Sequence, residues 1–157
     1  MKAASVQEIK LKLKEAGQSR LIEICLELAR YKKENKEFLT YLLFESDDVE
    51  GYIGQVKEEM DEAFSQVNAA QLYFAKKSLR KILRTINKYI RYTGSKTAET
   101  EILLHYCLSF KGLKLPLHKS TVLSNLYQSQ IKKLEKAISS MHEDLQYDYL
   151  RELERLK

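Results

Sequence analysis

Glycine and proline are scarce in this chain, and their scarcity limits the folds that it can adopt. Only 5 glycines and 1 proline occur among 157 residues, whereas average usage of the two together is about 12%. Because β-sandwiches, barrels and meanders need many tight turns, the composition argues against these architectures. No two glycines have the spacing of a phosphate-binding loop, so the common nucleotide-binding motifs are excluded as well.

Apolar residues recur at steps of three and four along most of the chain, as one face of an α-helix requires. The clearest stretches are residues 49–67 and 72–90. We therefore predict an all-α single domain over residues 1–157, with six to eight helices packed as consecutive antiparallel hairpins in a bundle or short α-solenoid. The hairpins occupy residues 1–112, a loop with the only proline occupies 113–119, and a long C-terminal helical tract occupies 120–157.

Capping residues predict where the helices begin and end. Ser5 and Glu8 have the spacing of a capping box at the first helix, and Gly17 is predicted to end that helix in a left-handed conformation. Gly94 and Gly112 are predicted to end the fifth and sixth helices, and a bend is predicted at residues 139–140. The other predicted helix starts are Ser19, Asn35, Asp47, Asn68, Thr97 and Ser120.

The charge distribution is the most informative feature for function. Residues 71–97 contain eight bases and no acid, whereas the rest of the chain is net acidic. In helical projection, the bases at 76–91 occupy one arc and the apolar residues another, so a continuous basic face about four turns long is predicted. Such a face attracts polyanions. The predicted contact residues are Lys77, Arg80, Lys81, Arg84, Lys88 and Arg91.

The segment that precedes this basic helix is acidic. Residues 45–62 contain eight acids and one base, Lys57. A short connection predicts that the two helices form a hairpin, in which only Glu50 and Glu59 border the shared apolar seam. Three interpretations of the basic face therefore stay open: a solvated or internally paired surface, a site for an acidic protein partner, or a nucleic-acid site. Tyr73 and Tyr92 beside the face give slight support to the last, but no nucleic-acid-reading motif is present.

Residues that could support catalysis or metal binding are few. Glu101 and His105 are four positions apart and can share a helix face, but such a pair is more typical of a surface hydrogen bond than of a catalytic dyad. His118 and His142 have no partner at ligand spacing. We therefore predict that the chain is not an enzyme and uses no metal or cofactor. Both cysteines, at positions 25 and 107, lie on apolar stripes and are predicted to be reduced core thiols rather than a redox pair.

The cellular location is also an expectation from sequence. The first residues lack the apolar segment of a signal peptide, and no apolar run approaches 18 residues. A cytoplasmic bacterial protein without membrane association is expected.

Three stretches resemble a family of small, functionally uncharacterised helical proteins from bacteria. They are residues 41–45 (YLLFE), residues 75–92 around AKKSLRKILR and NKYIRY, and residues 100–107 (TEILLHYC). The resemblance covers most of residues 20–110 and implies a helical bacterial domain, with no activity, substrate, cofactor or functional residue to transfer. A looser likeness to HEAT-like helical hairpins is an analogy of fold only.

The functional prediction is a non-enzymatic interaction or scaffold module that binds an acidic protein partner through the basic helix, residues 76–91. The alternative is weak, sequence-independent nucleic-acid binding by the same face. A further prediction is self-association through the C-terminal helix, because the apolar stripe from Leu123 to Leu145 exceeds what one small bundle is expected to cover.

Overall fold

A computed structural model describes all 157 residues and contains eight α-helices and no β-strand. This confirms the predicted all-α class. The helices are α1 Val6–Glu15, α2 Gln18–Tyr31, α3 Lys33–Thr40, α4 Val49–Ser65, α5 Leu72–Thr93, α6 Lys96–Gly112, α7 Thr121–Ser139 and α8 Glu143–Leu156. A π-helical turn covers Tyr41–Glu45, and a 3₁₀ turn covers Leu117–Lys119.

Contacts within the chain divide it into two compact units, Met1–Phe44 with α1–α3 and Glu45–Lys157 with α4–α8. The predicted single domain remains a prediction, because two compact units of one chain can still unfold together. The predicted hairpin arrangement also remains a prediction, although contacts join α4 to α5, α5 to α6, α6 to α7 and α7 to α8.

The first unit buries almost none of its apolar side chains. Helices α2 and α3 contact each other, and the Asn35 side chain donates a hydrogen bond to the Leu28 carbonyl at 2.8 Å. Tyr41 is nevertheless its only buried residue. Cys25 is exposed, so its prediction as a core thiol is wrong. The apolar stripe of α2 is real, but residues 1–44 provide too few neighbours to cover it.

The second unit has a continuous core centred on α6. This helix contacts α4, α5, α7 and α8, and a helix surrounded in this way needs apolar residues on most of its faces. The buried Tyr106 hydroxyl donates to the Leu79 carbonyl at 3.1 Å, which satisfies its polar atom inside the core. The buried residues of α6 are Ala98, Thr100, Ile102, Leu103, Leu104, Tyr106, Cys107 and Phe110.

The C-terminal helical tract is divided into α7 and α8 rather than forming one continuous helix, and the division follows the bend predicted at residues 139–140. The Ser140 amide bonds back to the Ala137 carbonyl, and His142 caps the start of α8. The two helices contact each other, and the Tyr127 hydroxyl donates to the Leu156 carbonyl at 2.9 Å. The predicted apolar stripe is buried within the unit along α7, from Leu123 to Ile138, whereas Met141 after α7 is half-buried and Leu145 in α8 is exposed. The surface invoked for self-association is therefore largely covered.

Helix ends follow the predicted caps in some places and not in others. The Ser5–Glu8 capping box is present, and Gly94 has the predicted left-handed φ of 59°. Gly17 instead has φ −69° and is the N-cap residue of α2, so its prediction as a left-handed stop is wrong. Ser95, not Thr97, caps α6 through the Ala98 amide.

Candidate interaction surface

Helix α5 carries the predicted basic face and is anchored by its opposite side. Its buried residues are Ala75, Leu79, Ile82, Leu83 and Ile86. These positions repeat at steps of three and four, which places them on one face against α4 and α6. The lysines and arginines fall between them in sequence and therefore on the other side of the helix. Gly94 ends the helix in the left-handed conformation that favours glycine.

The structure leaves most of the predicted contact residues open to solvent. Lys88 is half-buried, whereas the other five are exposed. None of these five forms a salt bridge with a carboxylate of the chain. The exposed residues are Lys77, Arg80, Lys81, Arg84 and Arg91. The basic charge of α5 is therefore largely uncompensated by ion pairs along its exposed side.

Two carboxylates of α4 contact partners other than the bases of α5. Asp61 contacts His105 of α6 at 2.6 Å, and Glu59 accepts a hydrogen bond from the Tyr89 hydroxyl at 3.0 Å. Glu59 was expected at the seam between α4 and α5, and it does contact α5, but through a tyrosine and not through a base. The only base of α4, Lys57, pairs with Glu101 of α6 at 2.6 Å.

Two aromatic side chains, Tyr73 and Phe74, lie in the first turn of α5. The Lys77 ammonium lies 4.6 Å from the centroid of the Tyr73 ring, and Lys76 lies 5.5 Å from it. Phe74 packs edge-on against Tyr73 with centroids 5.4 Å apart. Both rings are exposed, at 57% for Tyr73 and 49% for Phe74. They are the surface on which an unstacked base could pack. Tyr92 is half-buried.

Two depressions adjoin the basic face. One is an open basin of about 650 Å³, and its lining is Lys77, Arg80, Lys81, Leu83, Arg84 and Asn87. The other is a groove of about 340 Å³ between α4 and α5, floored by apolar side chains. Lys81 lines both of them. The basic basin and the apolar groove thus meet at Lys81.

A second polar cluster joins α4, α6 and α8 away from the basic face. Glu101 accepts hydrogen bonds from the Lys57 ammonium and the Tyr149 hydroxyl, both at 2.6 Å. Partial burial raises the pKa of Glu101, but these two hydrogen bonds outweigh it and hold the pKa below its ordinary value. Burial and the bonded carboxylate raise the pKa of Tyr149. Glu101 and His105, which the sequence suggested as a pair, have different hydrogen-bond partners, because the His105 ring contacts Asp61.

This cluster was missed in the sequence, although one signal could have found it. Lys57 is the only base among the acids of residues 45–62, which indicates a specific partner. Tyr149 lies 48 positions from Glu101, and no local spacing connects them. The cluster ties three helices together, and none of the depressions described above is lined by its residues.

The remaining candidate residues take structural positions. The His142 side chain accepts from the Asp144 amide at the start of α8, and His118 lies in the 3₁₀ turn. No group of three or more histidine, cysteine or acidic residues is arranged to hold a metal ion. Cys107 is fully buried, and burial raises its pKa to about 12.

Comparisons with protein-family models, curated proteins and solved structures found no match to this chain. The resemblance to a bacterial helical family thus stays an expectation. Among the helices, none has both the length and the apolar character needed to cross a membrane. The function must therefore be argued from the surface of α5 itself.

Proposed function

We propose that this chain is a non-enzymatic interaction module that binds an acidic protein partner through the basic face of α5. The observation that carries the proposal is the set of five exposed bases on one helix without a salt bridge to the chain's own carboxylates. A binding surface needs its charges available, because charges already paired within the chain would have to be separated first.

The arginines on this face suit carboxylate ligands. Arg80, Arg84 and Arg91 lie on one side of α5, about 6 Å and about 10.5 Å apart along the helix axis, at 1.5 Å per residue. Each guanidinium can bind a carboxylate through two parallel hydrogen bonds. A row of such groups also steers an acidic surface toward the helix during association. A partner with acidic side chains at helical spacing would match the row.

Weak, sequence-independent nucleic-acid binding is the alternative function for the same face. The exposed Tyr73 and Phe74 rings favour it, because single-stranded bases stack on such rings. If the five exposed bases each neutralised one phosphate, log Kobs would fall against log salt with a slope of about −3.5 for a single strand. A gel-shift series that shows no binding even at low ionic strength would discard this alternative.

The acidic-partner proposal is tested by capture from native cytoplasm with matched charge-reversal variants. The test variant carries Arg80→Glu, Arg84→Glu and Arg91→Glu. The control carries Lys132→Glu, Lys133→Glu and Lys136→Glu on α7, whose side chains are also exposed. Both variants have the same net charge.

The proposal expects an acidic protein to be retained by the wild type and by the α7 variant, and lost by the α5 variant. Retention of the same proteins by all three would reject α5 as the contact surface. Loss from both variants would show that net charge alone governs capture, and it would reject the proposal equally.

A further inference from the structure

The groove between α4 and α5 has the form of a site that receives a row of apolar side chains from a ligand. Its floor is formed by Val56 and Met60 from α4 and by Ile82 and Ile86 from α5, all of which are buried. Ala63 adds a small residue to its wall, which leaves room above the floor. The volume of about 340 Å³ accommodates a few apolar side chains.

This groove lies directly beside the basic face. Lys81 lines both the groove and the basic basin, and it forms no salt bridge within the chain. Glu59, the acidic residue of the groove wall, already accepts a hydrogen bond from Tyr89. A ligand in the groove would therefore meet apolar side chains in the groove itself and, past Lys81, the lysines and arginines of the adjoining basin.

The dimensions of the groove favour a helical ligand. Its lining extends from Val56 on α4 to Gln66, the residue that follows α4, and from Ser78 to Tyr89 on α5, which is about 15–17 Å along the helix axes at 1.5 Å per residue. An extended peptide would need partners for its backbone amides and carbonyls. Helices α4 and α5 have already used their backbone groups within themselves, whereas a helical ligand brings its own backbone hydrogen bonds.

We propose that the ligand of this surface is an amphipathic acidic helix of a partner protein, seated with its apolar side in the α4–α5 groove. This inference rests on the proposed function and adds the form of the partner segment. The helix presents apolar residues at i, i+3 or i+4, and i+7 to the groove, which is how amphipathic helices are held in grooves. Its carboxylates lie toward Lys77, Lys81 and Arg84.

The test uses two synthetic 18-residue peptides of identical composition, made of leucine, alanine, glutamine and glutamate. One peptide places its leucines on a single helical face, and the other distributes the same residues around the helix. Fluorescence anisotropy measures the binding of each peptide to the full chain. We expect the amphipathic peptide to bind about tenfold more tightly, which corresponds to about 1.4 kcal/mol.

Two variants fill the groove without changing charge. Ala63→Phe and Thr85→Phe each add a ring at a half-buried wall position, and Thr97→Phe adds the same ring at an exposed position outside the groove as the control. We expect either groove variant to abolish the preference for the amphipathic peptide and the control to retain it. Chemical-shift mapping on the wild type supplies an independent readout, with the expected changes at Val56, Met60, Ile82 and Ile86.

The outcomes separate the inference from the proposed function. Equal binding of both peptides, lost in the Arg80, Arg84 and Arg91 reversal variant, would overturn the groove inference while the basic face stands. Binding unaffected by that reversal would overturn both. Preference for the amphipathic peptide that persists in both groove variants, with no shift changes in the groove, would also overturn the inference. So would binding to phosphatidylcholine vesicles with about 30% phosphatidylglycerol in the absence of peptide binding.

Discussion

Glu101 shows how a single residue can be both half-buried and ionised. Its carboxylate holds Lys57 of α4 and Tyr149 of α8 at 2.6 Å each. Burial alone would favour the neutral acid, but the two donors stabilise the carboxylate, and the pKa of Glu101 falls below its ordinary value. The contribution of this residue is to stability, because it joins three helices of the second unit.

The low pKa of Glu101 predicts a pH-dependent effect of Glu101→Gln. The unfolded chain protonates this group at a higher pH than the folded chain does. The stabilisation is therefore complete above the unfolded pKa of about 4.3 and is lost as pH falls through the lower folded pKa. At neutral pH we expect Glu101→Gln to lower the free energy of unfolding by about 1 kcal/mol, discounted for partial exposure. Urea unfolding of the wild type and of Glu101→Gln, at pH values from about 3 to about 7, measures this difference in unfolding free energy on both sides of the transition.

Glu154→Gln is the matched control for this prediction, because Glu154 forms an exposed ion pair with Lys157. Its effect on the free energy of unfolding is expected to be close to zero. A Glu101→Gln effect that is equal at low and neutral pH would contradict the assigned carboxylate role.

The different burial of the two cysteines predicts different thiol reactivity. Cys25 is exposed, whereas Cys107 is fully buried with its pKa raised to about 12 by burial. Because the thiolate is the reactive form, we expect one thiol per native chain to react rapidly with Ellman's reagent and the second only after unfolding. Cys25→Ser is expected to remove the rapid phase. Rapid reaction of two thiols in the native chain would mean that Cys107 is accessible to solvent, and it would contradict the prediction.

At the level of the helices, periodicity was sufficient to predict which segments are helical, but capping residues left the ends ambiguous. Ser95 and Thr97 both have side chains that can cap α6, and only the backbone at residue 95 orients the side chain toward the Ala98 amide. Gly17 is a similar case, because glycine is compatible with either sign of φ and neighbouring residues decide which is adopted. The apolar side of α5 was predictable because its pattern is regular over 22 residues.

The contrast between Gly94 and Gly17 gives a prediction about helix ends. Gly94 has φ 59°, whereas Gly17 has φ −69°, and neither has a neighbour within 4 Å of an added Cβ. Gly94→Ala is therefore expected to lower the free energy of unfolding by about 1–2 kcal/mol through backbone strain alone. Gly17→Ala is the control and is expected to be neutral or slightly stabilising. Thermal unfolding of both variants tests this, and equal effects would contradict the left-handed end of α5.

For the whole molecule, composition together with apolar periodicity was enough to predict the fold class, but not how apolar surface is covered in different parts of the chain. The apolar stripes of α2 and α7 look alike in the sequence, yet α7 is buried and most of α2 is not. The difference depends on which elements pack around each helix, and local spacing does not encode that. The exposed basic face was predictable because it follows from the apolar side of the same helix.

The two units are therefore expected to differ in local stability. Residues 1–44 bury only Tyr41 among large side chains, whereas α6 is buried along most of its length. Since local opening is easiest where few apolar contacts exist, amides of α1–α3 should exchange with solvent at a lower free energy of opening than those of α6. Native-state hydrogen exchange measures both in one sample. Equal protection of α2 and α6 would contradict the expected difference.

The central claim is that the basic face of α5 binds an acidic protein, and the affinity of the purified captured partner tests it most directly. Isothermal titration compares the wild type with the Arg80, Arg84 and Arg91 reversal variant and with the Lys132, Lys133 and Lys136 control. We expect the α5 variant to bind at least about tenfold more weakly, with the control close to the wild type. Equal affinity for all three chains would contradict the claim.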